Sequence, residues 1–236
     1  MKPEIINEDE YIIVLNKPSG LVVHPFDYST EYTLVDFLYE KYPEIFVIEN
    51  KIKLQDGREI SLGGIVHKLD RDTSGVIVIA KTQKVFDELK EQFKNHTVEK
   101  VYVALVEGII EKDSFTIDAP LGRSRKDYKQ STAPEKPRGE LRPAITEVEV
   151  SARGGSASGG KNTTLVKLFP KTGRTHQLRA HMSSIGHPIV GDKAYGGKVD
   201  SSRIMLHAEK ICFILNEKTY EFEVPPPNDF TFETTK

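Results

Sequence analysis

Apolar positions along the chain follow two periods. Residues 5–16 alternate and then run apolar through Tyr11, Ile12, Ile13, Val14 and Leu15, which predicts one strand ended by the Pro18-Ser19-Gly20 turn. Residues 76–80 form a largely β-branched run between Gly75 and Lys81 and read as a buried strand. Further strands are predicted at 100–106, 114–118, 144–150, 163–169, 211–215 and 219–224. Three stretches show helical spacing instead. Residues 33–42 carry Leu34, Phe37, Leu38 and Tyr42, with Thr33 as N-cap and Pro43 as stop. Residues 83–95 place Val85, Phe86, Leu89 and Phe93 on one face, and residues 175–185 do so with Leu178, His181, Met182 and Ile185, ended by Gly186. The mixed stretch 44–64 reads as a hairpin-like insertion turning at Asp56-Gly57. Residues 121–142, rich in charge, Pro and Gly, read as a loop, and residues 151–162 read as a flexible Gly/Ser hairpin tip. Strands outnumber helices, no βαβ alternation or internal repeat is present, and the pattern predicts an α+β fold with a largely antiparallel sheet.

Composition narrows the class without deciding it. The 236 residues suffice for one or two domains, and 38 % hydrophobic with 29 % charged residues is an ordinary globular balance. Cys212 is the lone cysteine, read as a small buried hydrophobe, so no disulfide forms within the chain. The N-terminus MKPEIINEDE is acidic rather than signal-like, and no apolar run reaches membrane-spanning length. These features predict a cytoplasmic protein that makes no use of a membrane. A formal net charge of −2 speaks against a polyanion partner, but the cations are segregated. Residues 161–181 hold Lys161, Lys167, Lys171, Arg174 and Arg179 with His176 and His181, and no acid. Residues 121–142 hold seven Lys or Arg against three acids, while acids gather at 36–60, 107–118 and 209–233. Two basic blocks set apart from acidic ones fit a one-sided phosphate-binding surface.

The candidate chemistry centres on residues 63–81, GGIVHKLDRDTSGVIVIAK. Asp70 lies between Lys68 and Arg71, just ahead of a core strand where a loop side chain is firmly aimed. On this local pattern alone two readings stand: a functional carboxylate, or an Asp that with Asp72 merely caps a turn. The histidines at 24, 67, 176, 181, 187 and 207 are scattered without a metal-ligand spacing, so no metal site is expected.

HKLDRDTSG resembles the HRLD-x-x-TSG signature of the RluA-type pseudouridine synthases, which isomerise uridine in RNA. Other segments resemble that family in the same order: NKPSGL with His24-Pro25, then KVYVALVEG at 100–108 and KTGRTHQLR at 171–179, and finally GHPI with Gly191-Asp192 and LHA at 206–208. The resemblance spans roughly residues 5 to 227. It implies the pseudouridine synthase fold, a mixed and largely antiparallel sheet in two halves around a catalytic cleft. It also implies a single catalytic domain over residues 1–236, without a separate N-terminal RNA-binding domain, acting as a cofactor-free monomer. By position it makes Asp70 the nucleophile, Tyr102 the ring that stacks on the flipped base, and Arg179 the cation that keeps the carboxylate ionised. Lys68, Arg71, Lys171, Arg174 and His176 are then candidate contacts to ribosomal or transfer RNA. Lys68 departs from the family's usual Arg, which offers a planar fork where Lys offers a point charge. An inactive RNA-binding protein on the same fold is the alternative, against which the joint presence of Asp70, Tyr102 and Arg179 argues. An aspartate-dependent phosphohydrolase would need metal-binding acids or a Gly-rich phosphate loop, and neither is present.

Overall fold

The computed structural model describes residues 1–25, 30–54, 56–123, 130–132, 140–157 and 161–230. In chain order these form β1 (Glu4–Glu8), β2 (Ile12–Lys17), α1 (Leu34–Lys41), a 3-10 turn at Pro43–Val47, β3 (Lys51–Lys53), β4 (Glu59–Ser61), β5 (Ser74–Ala80) and α2 (Gln83–Lys94). Next come β6 (Glu99–Glu107), β7 (Ser114–Asp118), β8 (Gly122–Arg123), β9 (Gln130–Ser131), β10 (Ile145–Ala157) and β11 (Lys161–Pro170). The chain continues with α3 (Gln177–Ser184), a 3-10 turn at Lys193–Tyr195, β12 (Leu206–Leu215) and β13 (Lys218–Glu223). The fold class is α+β, and every pairing between these strands for which a register is defined is antiparallel.

Two compact units share the chain: residues 1–98 with 210–225, and residues 99–209 with 226–236. In the first, β2 lies between β1 and β5, and β5 is buried along its whole length. The single strand expected over 5–16 is two strands. Asp9 divides it, because its carboxylate accepts the N–H groups of Tyr11 and Ile12, each at 2.8 Å, and so closes a turn. Helix α1 begins as predicted. Thr33 and Asp36 form a reciprocal capping box, with Asp36 Oδ2 accepting Thr33 N–H at 2.8 Å. The 44–64 insertion is a 3-10 turn followed by the β3–β4 hairpin, with Gly57 in the left-handed region its turn requires. On α2, Val85, Phe86 and Leu89 are buried. Cys212 is half-buried rather than buried, since it lies on the face of β12 opposite Ile211, Phe213 and Leu215.

The second unit stacks β6, β11, β10 and β7 side by side in that order. Its core gathers Leu105, Val106, Val148, Val166, Leu168, Met182 and Ile189. Residues 151–157, expected to lie in a flexible tip, instead extend β10 to Ala157, paired with β11 back to Lys161. Bulges near Val150 and near Gly155 absorb the glycines within a ladder that the partner strand maintains. Residues 158–160 of that expected tip lie outside the described residues. The loop expected at 121–142 includes a short hairpin stem, β8 with β9, and its residues 124–129 and 133–139 also lie outside the described ones. Helix α3 starts at Gln177, two residues later than predicted, because His176 takes a left-handed conformation at φ 52°. Ile185, expected on its buried face, lies past the helix end and is 38 % exposed.

Candidate active site

Asp70 stands half-buried four residues ahead of β5, and the chain around it is pinned on both sides. Upstream, a Cβ on Gly64 would stand 1.8 Å from Ala80 O, so only glycine lets the incoming segment lie against β5. There Ala80 N–H donates to Gly64 O at 2.8 Å, and Val78 N–H donates to His67 Nε2 at 3.0 Å. The His67 ring also stacks on Phe93 of α2 with centroids 4.7 Å apart. Downstream, Thr73 N–H donates to Asp70 O at 3.2 Å and closes the turn.

The NKPSG segment supplies a second brace. Lys17 is wholly buried, and its ammonium donates to Pro18 O at 3.0 Å and to Leu21 O and Arg71 O at 2.8 Å. Burying a cation is tolerated only where its hydrogens are satisfied, so Lys17 joins two distant loops at the residue next to Asp70. Ser19 Oγ donates to Asp72 O at 2.8 Å and Gly20 N–H to Arg71 O at 2.9 Å. Gly20 makes this turn at φ 85°. Lys68 is exposed, and Arg71 is exposed with Glu31 at 3.1 Å and Asp72 at 4.0 Å. Burial lowers the His24 pKa below the ordinary imidazole value. A hydrogen bond to Pro25 O opposes that shift, and the Lys68 charge adds to it.

Tyr102 and Arg179 belong to the second unit. Tyr102 is half-buried on β6, opposite Leu168 of β11, and packs against the core of that unit. Lys100, two residues earlier and so on the same strand face, is half-buried, and burial lowers its pKa. Arg179 is 7 % exposed on α3, and Asp192 receives it bidentately, Nε to Oδ2 at 2.6 Å and Nη2 to Oδ1 at 3.0 Å. The Arg179 Cζ lies 5.0 Å from the centroid of the Tyr195 ring. His176 Nδ1 and the Tyr195 hydroxyl are 3.0 Å apart. Lys171 is exposed and paired with Glu147 at 2.7 Å, while Arg174 Nε donates to Pro143 O at 3.1 Å. The block that is acid-free in sequence is therefore not acid-free in space, since Lys167 also meets Glu209 at 2.8 Å.

The profile of the RNA pseudouridylate synthase family matches residues 11–184, nearly three quarters of the chain. The chain belongs to that family. It is 36 % identical over 97 % of its length to an uncharacterized RNA pseudouridine synthase of Bacillus subtilis, spanning 71 % of that protein. It is 35 % identical over 96 % of its length to the dual-specificity RNA pseudouridine synthase RluA of Vibrio parahaemolyticus, spanning 84 % of it. The solved structure of human RNA pseudouridylate synthase domain containing 1 superposes with a TM-score of 0.78 at 26 % identity, covering 99 % of this chain and 89 % of that one. The fold is thus that of the RluA-type RNA pseudouridine synthases, which are isomerases. Lys17, Asp192 and Tyr195, which the sequence reading did not single out, are the buried supports of the candidate residues. The first two were visible only as letters within the NKPSGL and GHPI-x-GD segments, and nothing local marked their partners.

Proposed function

We propose that this chain isomerises specific uridines in structured RNA to pseudouridine, with Asp70 as nucleophile. The observation that supports this most is the double bracing of the Asp70 loop. A buried ammonium, a hydroxyl and a backbone N–H from residues 17–20 all fix the carbonyls of Arg71 and Asp72. A carboxylate held in one place loses little orientational freedom on the way to the transition state, which is where positioned nucleophiles gain their rate. The reaction breaks N1–C1′, turns the base, and joins C5 to C1′. C5 then gives up its proton and N1 gains one, so the product is an isomer and no cofactor is consumed. Attack at C1′ and attack at C6 of the base both use the Asp70 carboxylate, and in this reading Arg179 is the cation that serves the reaction. The base must leave its stack to be reached, and the Tyr102 ring offers it a new one. Lys68, Arg71, Lys171, Arg174 and His176 are read as contacts to the RNA backbone. A relative in Zymomonas mobilis is named ribosomal large subunit pseudouridine synthase D and one in Vibrio parahaemolyticus is named dual-specificity, and in this reading the substrate is ribosomal or transfer RNA.

The test maps pseudouridine across the RNA of cells with and without the gene, then re-expresses the wild type or Asp70→Asn. A defined set of uridines should lose modification on deletion and regain it with the wild type. The nearly isosteric Asp70→Asn should fold and bind RNA yet turn over slower by on the order of 10³ or more. No lost site, or an Asp70→Asn rate within about tenfold of wild type, would remove this reading.

A further inference from the structure

Arg179 sits in a buried cradle built from one short segment, residues 191–197. Asp192 has no exposed surface and takes the Nε–Nη2 edge of the guanidinium with both carboxylate oxygens. The Arg179 Cζ stands over the Tyr195 ring, 5.0 Å from its centroid. A cation–π contact and a bidentate fork together orient the planar group, with its Nη1 end turned away from Asp192.

The cradle is itself fixed. Gly191, at φ 80°, passes so close to Arg203 that a Cβ would stand 2.1 Å from Arg203 O. Asp192 Oδ1 also accepts the Tyr195 N–H at 3.3 Å, and Asp192 O accepts the Gly197 N–H at 2.9 Å. The Tyr195 hydroxyl accepts the Gln130 N–H at 2.8 Å and meets His176 Nδ1, while Ser183 Oγ donates to Tyr195 O at 2.7 Å. His176, Arg179 and Ser183 are spaced along one side of α3, so the helix and the 191–197 segment are joined at three points.

We propose that Asp192 and Tyr195 are positioning residues for catalysis, a clamp that holds the Arg179 guanidinium in the one orientation in which it serves the reaction. This rests on the reading of Arg179 as a catalytic cation. An arginine side chain free to sample its rotamers would spend little time correctly aimed, and misplacement of a reacting group by an ångström is enough to cost about 10²-fold in rate.

The experiment compares Asp192→Asn, Tyr195→Leu, Arg179→Lys and the double variant Asp192→Asn/Arg179→Lys. For each, the single-turnover rate at saturating enzyme, the RNA dissociation constant and the thermal midpoint are measured on a transcript carrying the mapped uridine. Asp192→Asn should lower the single-turnover rate about 10²-fold. Its RNA affinity should stay within about threefold, because a buried carboxylate makes no phosphate contact. The double variant should be no slower than Arg179→Lys, since residues acting as one unit are not additive. If Asp192→Asn does not fold, Tyr195→Leu decides by the same measures. A purely structural pair would lower the thermal midpoint while the rate per folded molecule stayed at wild type, and that result overturns the clamp. Losses that multiply in the double variant overturn it too. A wild-type rate for Arg179→Lys defeats the reading of Arg179 and the clamp with it. An impaired Arg179→Lys beside an unimpaired Asp192→Asn defeats the clamp alone.

Discussion

At Tyr102 one side chain offers two separable abilities. A phenol ring can stack on a base, which is worth about 1–3 kcal/mol, whereas removal of the C5 proton needs the hydroxyl. Its place on β6 is set by pairing with Leu168 and by packing against the core beneath, so the ring is aimed by the sheet and not by a mobile loop. Tyr102→Leu should be severely impaired whichever ability matters. Tyr102→Phe separates them: loss of a general base lowers the rate by on the order of 10²–10⁴, and an adduct with Asp70 should build up. A single-turnover rate for Tyr102→Phe within about threefold of wild type would leave stacking as the whole role.

Helix α3 is held by buried polar contacts. Gln177 Nε2 donates to Ile145 O at 3.0 Å and Thr146 Oγ1 at 3.1 Å, and its Oε1 accepts from Thr172 Oγ1 at 2.7 Å and Arg174 N–H at 3.0 Å. One turn on, His181 is wholly buried, with Nε2 donating to Ala119 O at 2.9 Å and Nδ1 accepting from the Thr146 hydroxyl at 2.9 Å. Burial lowers its pKa below the free value of 6.5, against the smaller opposing effects of Ala119 O and the Asp118 charge. As pH falls, the unfolded chain takes up this proton before the folded one does. The contribution is therefore complete above pH 6.5 and declines as pH drops below it toward the lowered folded value. Denaturant midpoints at neutral and mildly acidic pH should fall more for the wild type than for His181→Gln. Equal losses would mean that other groups carry the acid sensitivity.

For the whole molecule, where the charges lie matters more than the net −2. Lys171 faces Glu147 on the surface, both about half exposed, and such a pair is worth at most about 1 kcal/mol, so a phosphate can displace it. If the 171–176 segment carries the RNA backbone, affinity should fall steeply with salt, by about 0.7–0.9 in logarithmic slope per phosphate held. Neutralising Lys171 and Arg174 together should flatten that slope by close to two contacts. An unchanged slope would show that the RNA runs over another surface.

What the sequence determined by itself is whatever a few neighbouring residues decide. The Thr33–Asp36 box starts α1, the apolar run at 76–80 is a buried strand, Asp56-Gly57 turns a hairpin, and the letters around Asp70 mark the family. Periodicity, caps and turns act within about one helical turn, so they are written locally. Tertiary structure decided the rest. Residues 151–157 read as a loose tip because Gly and Ser have low strand preference, yet β11 supplies the ladder that holds them extended. Lys167 and Lys171 look unopposed until β12 and β10 bring Glu209 and Glu147 beside them. Lys17 reaches Arg71 across 54 positions of sequence, and Arg179 meets Asp192 across 13. Which carbonyl or carboxylate satisfies a buried cation depends on how strands and loops far apart in the chain are brought together, and no local pattern encodes that.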